Sequence, residues 1–403
     1  MNIPQGYKQT EFGSIPLDWD LCTFKDVLAT FSSGATPYRG IPEYYNGDVR
    51  WISSGELNYN HIYDTLEHIS QQAVRNTNLR IHKPGTFLMA ITGLEAEGTR
   101  GRCAFVGAPS ATNQSCLAIN GTDRMCTEYL FWFYRMWGQY LAFKYCQGTK
   151  QQSYTADIVK KLPIYGPKDI AEQRAIAEAL SDMDGLIAAL DKKIAKKRFL
   201  KQGAMQQLLT GKKRLHGFTD KWIKCELLTV CNILDNKRVP LNDEQRTSGI
   251  YPYCGANGIV DYIDRYIFDE DLILIAEDGG NFDQYETRPI AYWMSGKYWV
   301  NNHAHVLKAK NEYNQRYIFY QLEHKDITDY IVGGTRTKLT RAQLDKIEIS
   351  MPSSYAEQQA IATILSDMDK EIADLEAQRD KYRLLKSGMM QKLLTGQIRL
   401  KNE

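Results

Sequence analysis

The chain of 403 residues contains eight cysteines, and they follow no recognisable pattern. No two of them form a Cys-x-x-Cys pair, and none joins a Cys/His cluster with the spacing of a zinc site. This excludes the common zinc-binding and dithiol redox classes. We interpret the cysteines as reduced thiols, most of them buried, because free cysteine prefers protein interiors.

Long apolar runs are also missing. None approaches the ~20 residues of a membrane helix, and the opening stretch, MNIPQGYKQTEFG, is polar and lacks the apolar region of a signal peptide. We therefore expect no membrane contact and a cytoplasmic location. The net charge of +2 permits nucleic-acid binding without requiring it.

Recognisable catalytic motifs are absent as well. The sequence has no phosphate-binding Gly-x-x-x-x-Gly-Lys-Ser/Thr loop, no dinucleotide-binding Gly-x-Gly-x-x-Gly, and no Asn/Asp-Pro-Pro-aromatic run of the amino-methyltransferases. Glu277 and Asp278 could in principle hold a metal, but acidic residues beside glycine more often form turns. His303 and His305 lie two residues apart on a predicted strand, and we do not expect them to form a shared metal site. We expect His303 to be hydrogen-bonded or to contact a base.

What the chain does contain is one stretch written twice. The segment from Ala171 to Leu215 repeats from Ala356 to Leu400 without a gap, at a constant offset of 185 residues, and 27 of its 45 positions are identical. This period is too long for a solenoid, so we interpret it as duplication of a whole unit.

The repeated stretch has the spacing of a long helix. Apolar residues recur at alternating three- and four-residue steps, which is typical of a narrow coiled-coil seam: Ile176, Leu180, Met183, Ile187, Leu190 and Ile194, then Ile361, Leu365, Met368, Ile372 and Leu375. Asp169 and Ser354 are predicted to cap the starts, and the Thr-Gly pairs at 210–211 and 395–396 to end the helices. Each helix would be about 60 Å long at 1.5 Å per residue. The simplest way to bury both seams is for the helices to pair antiparallel about a pseudo-twofold axis, with one globular domain at each end.

The segments before the helices share a mixed plan of short strands, Gly-rich turns and an aromatic helix. The run GTFLMAITG corresponds to DLILIAEDGG, and TNQSCLAIN to VNNHAHVLKA. We therefore predict an α+β fold with two globular α/β domains separated by two long antiparallel coiled-coil helices. The predicted segments are 1–168, 169–213, 214–354 and 355–403.

Polar and aromatic loops in both globular segments are candidates for contacts with nucleic acid. The chain has 25 tyrosines, more than a core of this size needs, and aromatic side chains suit recognition surfaces. Arg and Lys can bind guanine, Asn and Gln adenine, and Asp and Glu can accept from cytosine. The candidates are Thr36, Tyr38, Arg39, Tyr45, Asn46, Ser54, Glu56, Arg100 and Arg102 in the first segment, and Lys237, Arg238, Tyr253, Asn257, Asp278, Asn281 and His303 in the second. Solvated polar loops remain the alternative for any one of them.

Two Gly-Thr-basic loops stand at equivalent places in the repeat. Lys150 and Arg336 each follow Gly-Thr, and we predict that they contact phosphates, with Gln151 and Lys338 as further contacts in the same loops. The run KKIAKKRFLK, from Lys192 to Lys201, is either a solvated helix flank or a stripe facing the nucleic-acid backbone.

Taken together, these motifs resemble the specificity subunits of type I restriction-modification enzymes, over essentially the whole chain. The resemblance is carried by the twice-written MQxLLTGxxRL at 205–215 and 390–400, the AEQxxIAxxLSDMD helix starts, and the opening YKQTEFGSIPLDW. It implies a non-catalytic DNA reader in a phage-defence system, whose two target-recognition domains each read one half of a bipartite sequence across an unread spacer.

The resemblance also implies partners. Two modification subunits that bind S-adenosylmethionine and methylate adenine, and two ATP-dependent restriction subunits, would complete the complex. This chain would then bind no cofactor itself, with S-adenosylmethionine, ATP and Mg on the partners. The SDMD motifs would lie where modification subunits attach, through Ser181, Asp182 and Asp184 and through Ser366, Asp367 and Asp369; an exposed helix face without a partner is the alternative.

Two other functions stay open at this point. One is a DNA methyltransferase or nuclease with an unrecognised active site, and the other is a protein-binding module whose aromatic loops bind peptide. Steeply salt-dependent DNA binding would exclude the second. The bases recognised and the spacer length do not follow from the sequence.

Overall fold

The computed structural model of the chain describes residues 3–95, 98–148, 152–334 and 337–401. Their internal contacts group them into one unit of Met1–Ala189 with Gln378–Glu403, and a second of Leu190–Ala377. Each unit therefore combines one mixed α/β segment with parts of both long helices. The four segments predicted from the sequence divide the chain differently, and their boundaries remain predictions.

Short strands and a few short helices make up the first α/β segment. The strands are β1 (Tyr7–Thr10), β2 (Gly13–Pro16), β3 (Asp20–Thr23), β4 (Leu28–Ser33), β5 (Val49–Ile52), β6 (His61–Ile62), β7 (His68–Ile69), β8 (Phe87–Ala90), β9 (Cys103–Val106), β10 (Ser110–Thr112), β11 (Cys116–Gly121) and β12 (Pro163–Gly166). The helices are α1 (Phe24–Val27), α2 (Gln71–Asn76), α3 (Thr127–Tyr145) and α4 (Ala156–Lys161), before the long α5 (Ile170–Leu208).

The second α/β segment has the same kinds of elements. Its strands are β13 (Trp222–Glu226), β14 (Cys231–Ile233), β15 (Ser248–Gly255), β16 (Gly258–Ile263), β17 (Phe268–Asp269), β18 (Leu272–Ala276), β19 (Ala291–Met294), β20 (Lys297–Val300), β21 (Ala304–Ala309) and β22 (Glu348–Pro352). Its helices are α6 (Leu227–Val230), α7 (Gln315–Glu323) and α8 (Arg341–Asp345), followed by the long α9 (Tyr355–Leu394). In the described part of the chain, no helix combines the length and apolarity of a membrane span.

The main sheets of the two segments have matching strand orders. The first is β4-β11-β8-β9-β6, and the second is β14-β21-β18-β19. Strands β8 and β18 are buried at every residue, as continuous apolar runs such as FLMA and LILIA require. The antiparallel pairs β3–β12 and β13–β22 are likewise equivalent. The shared plan predicted from the sequence is therefore confirmed at the level of strand pairing.

The aromatic helix differs between the segments. Helix α3 has 19 residues, whereas α7 has nine and ends at Glu323. The Asp326 carboxylate accepts hydrogen bonds from the backbone N–H of Thr328 (3.0 Å) and from its hydroxyl (2.7 Å), and these bonds hold a tight 3-10 turn in place of further helix.

Both long helices begin and end where the sequence predicts. Asp169 accepts from the backbone N–H of Ala171 (2.8 Å), and the chain turns through Gly211 and Gly396 at φ of +69° and +70°. A Cβ on Gly396 would lie 2.4 Å from the Pro16 ring, and one on Gly211 would lie 2.9 Å from the Trp222 indole. Glycine is therefore required at these ends by backbone conformation and by close packing together.

Inside each unit the two long helices run antiparallel, as their ion pairs show. In the second unit Arg214, beyond the end of α5, donates to the buried Glu357 at the start of α9 (Nε–Oε1, 2.6 Å). In the first unit Arg399 donates to the buried Glu172 in the same way, also at 2.6 Å. These four residues are exact counterparts at the 185-residue offset, so the duplication extends to tertiary contacts.

A second pair of contacts repeats along the helices. Lys201 lies 2.6 Å from Asp369 in the second unit, and its counterpart Lys386 pairs with Asp184 in the first. The basic run on α5 is used in the same way, because Lys197 lies 2.7 Å from Glu371 and Arg198 pairs with Glu376. Three members of this run thus pair with acidic residues of α9, which favours the helix-flank interpretation over a stripe free to bind nucleic acid.

The predicted seam residues lie inside these helix contacts. Ile176, Leu180, Ile361 and Leu365 are no more than 1% exposed, and they belong to the hydrophobic cores of their units. The cysteines form no disulfide among the described residues. Burial raises the pKa of the Cys231 and Cys254 thiols to about 12, consistent with their interpretation as reduced, buried groups.

Candidate nucleic-acid interface

In the second unit, an ion-pair network forms around the loop that follows β18. The Glu277 carboxylate accepts from Arg238 (Nη1–Oε2, 2.6 Å) and pairs with Lys338 (Nζ–Oε1, 2.9 Å). Burial acts to raise the pKa of Glu277, but hydrogen bonds from Arg238 and Lys338 outweigh it, so the pKa lies below its ordinary value. The loop is therefore held by charged groups on both sides.

Four of the predicted contact residues converge on this loop from separate segments. His303 Nδ1 lies 2.5 Å from Asp278 Oδ1, and the backbone of Asp278 pairs with that of Lys338 in an isolated antiparallel bridge. Asn257 Nδ2 donates to the carbonyl of Gly279 (2.8 Å). The exposed side of the loop thus presents amide, carboxylate, imidazole and ammonium groups within one surface, a mixture that can pair with base edges and phosphates.

His303 and His305 have different hydrogen-bond partners, because His303 lies just before β21 and His305 lies within it. His305 is 1% exposed; its Nδ1 lies 2.6 Å from Asp235 Oδ2, and its Nε2 lies 2.8 Å from the carbonyl oxygen of Leu339. Ligand atoms of Asp235, Glu277 and His305 lie within 4.8 Å of one another. Two cations, Arg238 and Lys338, already pair with these acids, so the cluster is balanced as an ion-pair network without a metal.

Two predicted contact residues of the second unit, Arg238 and Tyr253, are largely buried, and their role as DNA contacts remains a prediction. Arg238 is only 13% exposed at its side chain and donates to Glu277 and to the carbonyl of Ala304 (2.8 Å), so it is committed to the network. Tyr253 is 2% exposed, and its hydroxyl accepts from the backbone N–H of Leu241 (3.0 Å). Lys237, the neighbour of Arg238, is exposed and stays a candidate, and Asn281 lies in the same loop as Asp278, donating to Pro289 O (3.1 Å).

The first unit has an equivalent junction of two loops. The backbone of Thr92 pairs with Ser153, Leu94 donates to the carbonyl of Gln152 (3.1 Å), and Arg100 Nη2 donates to Gln152 Oε1 (3.0 Å). Arg102 lies nearby in sequence and donates to Gly98 O (2.6 Å). The corresponding loops of the second unit are joined by the Asp278–Lys338 bridge, so the repeat brings equivalent loops together twice.

Three predicted phosphate contacts lie outside the described residues. They are Lys150, Gln151 and Arg336. Their assignment remains a prediction.

A second group of predicted residues meets around the loop after β4. Arg39 donates to Glu67 (Nη2–Oε2, 2.8 Å), and its guanidinium lies 4.2 Å from the centroid of the Tyr45 ring. The Tyr45 hydroxyl donates to Pro37 O (2.6 Å), and the Thr36 hydroxyl bonds to Gln114. Tyr38 is 73% exposed, and Asn46 is also exposed. Hydrogen bonds thus fix part of this loop, while the side chains of Tyr38 and Asn46 are exposed.

Glu56 makes local hydrogen bonds through both carboxylate oxygens, and its role as a DNA contact remains a prediction. Its Oε2 accepts from the backbone N–H and the hydroxyl of Ser53 (both 2.8 Å), and its Oε1 accepts from the backbone N–H of Leu66 (3.0 Å). Oε2 therefore caps the 3-10 turn that begins at Ser54, and Oε1 joins this turn to Leu66. A Ser-x-x-Glu capping box is visible in the sequence, and it is the signal that separates this residue from the free contacts.

The SDMD motifs also divide into exposed and committed residues. Asp184 lies 2.5 Å from Arg135, and Asp369 accepts from the Tyr320 hydroxyl (2.6 Å). Ser181 accepts from Trp132 Nε1 (3.2 Å), and Ser366 bonds to Tyr320 (3.2 Å). These four residues join each long helix to its own α/β segment, and their role as partner contacts remains a prediction. Asp182 and Asp367 are exposed and stay candidates.

Comparison with known proteins identifies the family to which this chain belongs. The family model described as Type I restriction modification DNA specificity domain matches the chain twice, over residues 16–197 and 219–382. The Haemophilus influenzae protein S.HindORF215P, named as a type I restriction enzyme specificity subunit, is 37% identical over 141 residues, which are 35% of this chain and 35% of that protein. The Methanocaldococcus jannaschii MjaIX specificity subunit is 33% identical over 186 residues, or 45% of this chain and 41% of that one.

The chain thus spans about a third of the length of the Haemophilus influenzae protein and about two fifths of the length of the MjaIX subunit. Among solved structures, a type I restriction-modification S subunit from M. genitalium superposes with a TM-score of 0.67 at 14% identity, covering 98% of both chains. That similarity is one of fold.

Proposed function

The chain belongs to the type I restriction modification DNA specificity family, and from this premise we propose that it is the non-catalytic DNA-recognition subunit of such a system. Each α/β segment would read one half of a bipartite target. The paired helices would set the length of the unread spacer and carry the docking sites of the modification subunits.

The observation that carries this proposal is the repeated loop junction. In the first unit the 92–102 loop is joined to Gln152 and Ser153, and in the second the 277–281 loop is joined to Lys338. Both junctions gather polar groups that suit base edges and phosphates, but their residues differ, as two readers of unlike half-sites require.

The contact residues are proposed accordingly. In the first unit Thr36, Tyr38, Arg39, Tyr45, Asn46, Ser54, Arg100 and Arg102 would face DNA, and in the second Lys237, Asn257, Asp278, Asn281, His303 and Lys338. Lys150, Gln151 and Arg336 complete the proposed set. Lys150 and Arg336 would contact phosphates and so position the protein without reading sequence.

A solved structure with a similar fold concerns complex assembly of the type I R-M system, and we propose that this chain too acts within a complex with other subunits and DNA. We propose two modification and two restriction subunits for this chain, with the modification subunits attached near Asp182 and Asp367. S-adenosylmethionine, ATP and Mg would be bound by those partners and no cofactor by this chain. The proposed location is the cytoplasm.

The test is to incubate the purified chain with S-adenosylmethionine or with Mg and plasmid DNA, alone and after addition of modification subunits. Methylation only in the presence of the modification subunits is expected. Methylation or cleavage by the chain alone would favour the alternative, an enzyme with an unrecognised active site. The same chain should bind duplex DNA with a steep salt dependence, and salt-independent binding of a peptide instead would favour a protein-binding module.

A further inference from the structure

A polar cavity of about 330 Å³ lies in the first unit, between the end of β4 and the turn that follows α2. Its walls are residues 31–35 and residues 77–80. None of the predicted contact residues lines it. The cavity is therefore separate from the candidate contacts, although it adjoins the segment that contains Thr36.

The walls offer groups suited to a tetrahedral oxyanion. The lining residues include Ser32, Ser33, Thr77, Asn78 and Arg80, and none of the lining residues is acidic. Hydroxyl, amide and arginine donors are the groups that contact phosphate oxygens in protein–DNA complexes, and arginine pairs with phosphate more strongly than neutral donors do.

The surrounding sequence makes the cavity electropositive. Residues 70–94 include Arg75, Arg80 and Lys83 and contain no Asp or Glu, and residues 27–42 contain no Asp or Glu either. Arg80 is exposed, and no carboxylate among the described residues forms an ion pair with it. Burial lowers the pKa of His82, and the charge of Arg80 lowers it further. The positive charge at the cavity is thus uncompensated by the protein itself.

Hydrogen bonds fix the position of the cavity wall relative to Thr36, one of the candidate DNA contacts. Ala35 donates its backbone N–H to Thr112 O (3.2 Å), and its carbonyl accepts from Trp51 Nε1 (3.1 Å). A Cβ on Gly34 would lie 1.8 Å from the carbonyl oxygen of Thr112, so this wall packs directly on β10. The next residue, Thr36, bonds to Gln114. An anion in the cavity would therefore lie at a fixed position relative to Thr36.

We propose that this cavity binds a phosphodiester group of the DNA backbone, with Arg80 supplying the charge and the polar groups that line the cavity supplying the orienting hydrogen bonds. The bound phosphate fixes the register of the duplex against the loop of Thr36. This inference rests on the proposed function, because it assigns a backbone contact to the first DNA-reading segment.

The test compares Arg80→Ala with Arg75→Ala in the full chain. Arg75 is an exposed arginine in the last turn of α2 that does not line the cavity, so it is a matched control for loss of one surface charge. Binding of a fluorescent duplex is measured by anisotropy at several salt concentrations. Loss of one phosphate contact should make the slope of log K against log salt shallower by about 0.9 in Arg80→Ala. Arg75→Ala should keep the wild-type slope, and Arg80→Lys should largely restore it.

The outcomes separate this inference from the function it rests on. If wild-type protein fails to bind duplex DNA, the proposed function is overturned and the cavity assignment with it. If wild type binds and Arg80→Ala keeps the same slope, or if Arg75→Ala changes it equally, only the cavity assignment is overturned. Inorganic phosphate titrated at constant ionic strength distinguishes a free-anion site: saturable binding that Arg80→Ala abolishes, with an unchanged duplex slope, would also contradict the proposal.

Discussion

Lys237 and Arg238 are adjacent in sequence, but the structure gives them different roles. Arg238 is nearly buried and pairs with Glu277, whereas Lys237 is exposed. Arg238→Ala removes a cation that pairs with both Glu277 and Asp235, and we expect it to lower the free energy of unfolding by about 2–4 kcal/mol. Lys237→Ala should change stability by less than about 0.5 kcal/mol while weakening binding to all duplexes alike. Urea unfolding and DNA binding of both variants test this, and equal stabilities would contradict the network.

Asp18 provides a prediction about pH. Hydrogen bonding from Arg399, with further help from Lys401, lowers the pKa of Asp18 to about 2. A folded-state pKa below the unfolded value adds stability above the ordinary pKa near 4, and that stability is lost as the pH falls toward 2. Because Asp18 is half-exposed, its contribution should stay below about 1 kcal/mol.

Asp18→Asn should therefore unfold at lower urea than wild type at pH 7, and the difference should shrink between pH 4 and pH 2. The control is Asp48→Asn, an exposed carboxylate for which the described residues provide no ion pair. A difference that grows on acidification would show that the pairing is wrongly assigned.

Residue types alone could not separate free contacts from committed ones. Asp278 and His303 are both predicted contact residues, and the structure brings their side chains together. Arg238 and Tyr253 belong to residue types that commonly contact DNA, but here they are buried. Arg238 bonds to Ala304, 66 residues away, and Tyr253 bonds to Leu241, 12 residues away. Only Glu56 carried a local signal of its role, the capping box with Ser53.

At the scale of elements, the long helices were the most predictable part of the molecule. Their apolar spacing, caps and Thr-Gly ends are local in sequence, and the structure ends them at Leu208 and Leu394. The Arg214–Glu357 pair was not predicted, because its partners are 143 residues apart. The repeat did hold a usable signal: Glu and Arg recur at equivalent positions as Glu172 and Arg399.

Arg214→Ala tests the importance of this contact between helices. Glu357 has no exposed surface, so removing its cation leaves a buried carboxylate uncompensated, and we expect a loss of about 3–5 kcal/mol in unfolding free energy. Lys213→Ala, at the exposed neighbouring position, is the control and should be close to neutral. Urea unfolding measures both, and a combined Arg214→Met and Glu357→Met variant should recover much of the loss. A single Arg214→Ala variant as stable as the control would contradict the assignment.

At the scale of the whole molecule, both helices would act together as a ruler for the spacer. Removing or adding one heptad in one helix should change the permitted spacer length and leave both half-sites the same. A spacer of about one DNA turn corresponds to roughly 34–36 Å, so a change in helix length of about 10 Å at 1.5 Å per residue should be visible as a change in base pairs. Methylation assays on targets with varied gaps measure this, and an unchanged gap would refute the ruler.

The central claim is that one chain carries two readers of unlike half-sites. Its most direct test is to map methylated adenines in genomic DNA from cells that express this chain with its modification subunits. We predict a single motif in two unlike parts, separated by a gap of fixed length that is not read. A continuous motif, a palindrome read identically at both ends, or methylation that persists without this chain would contradict the account.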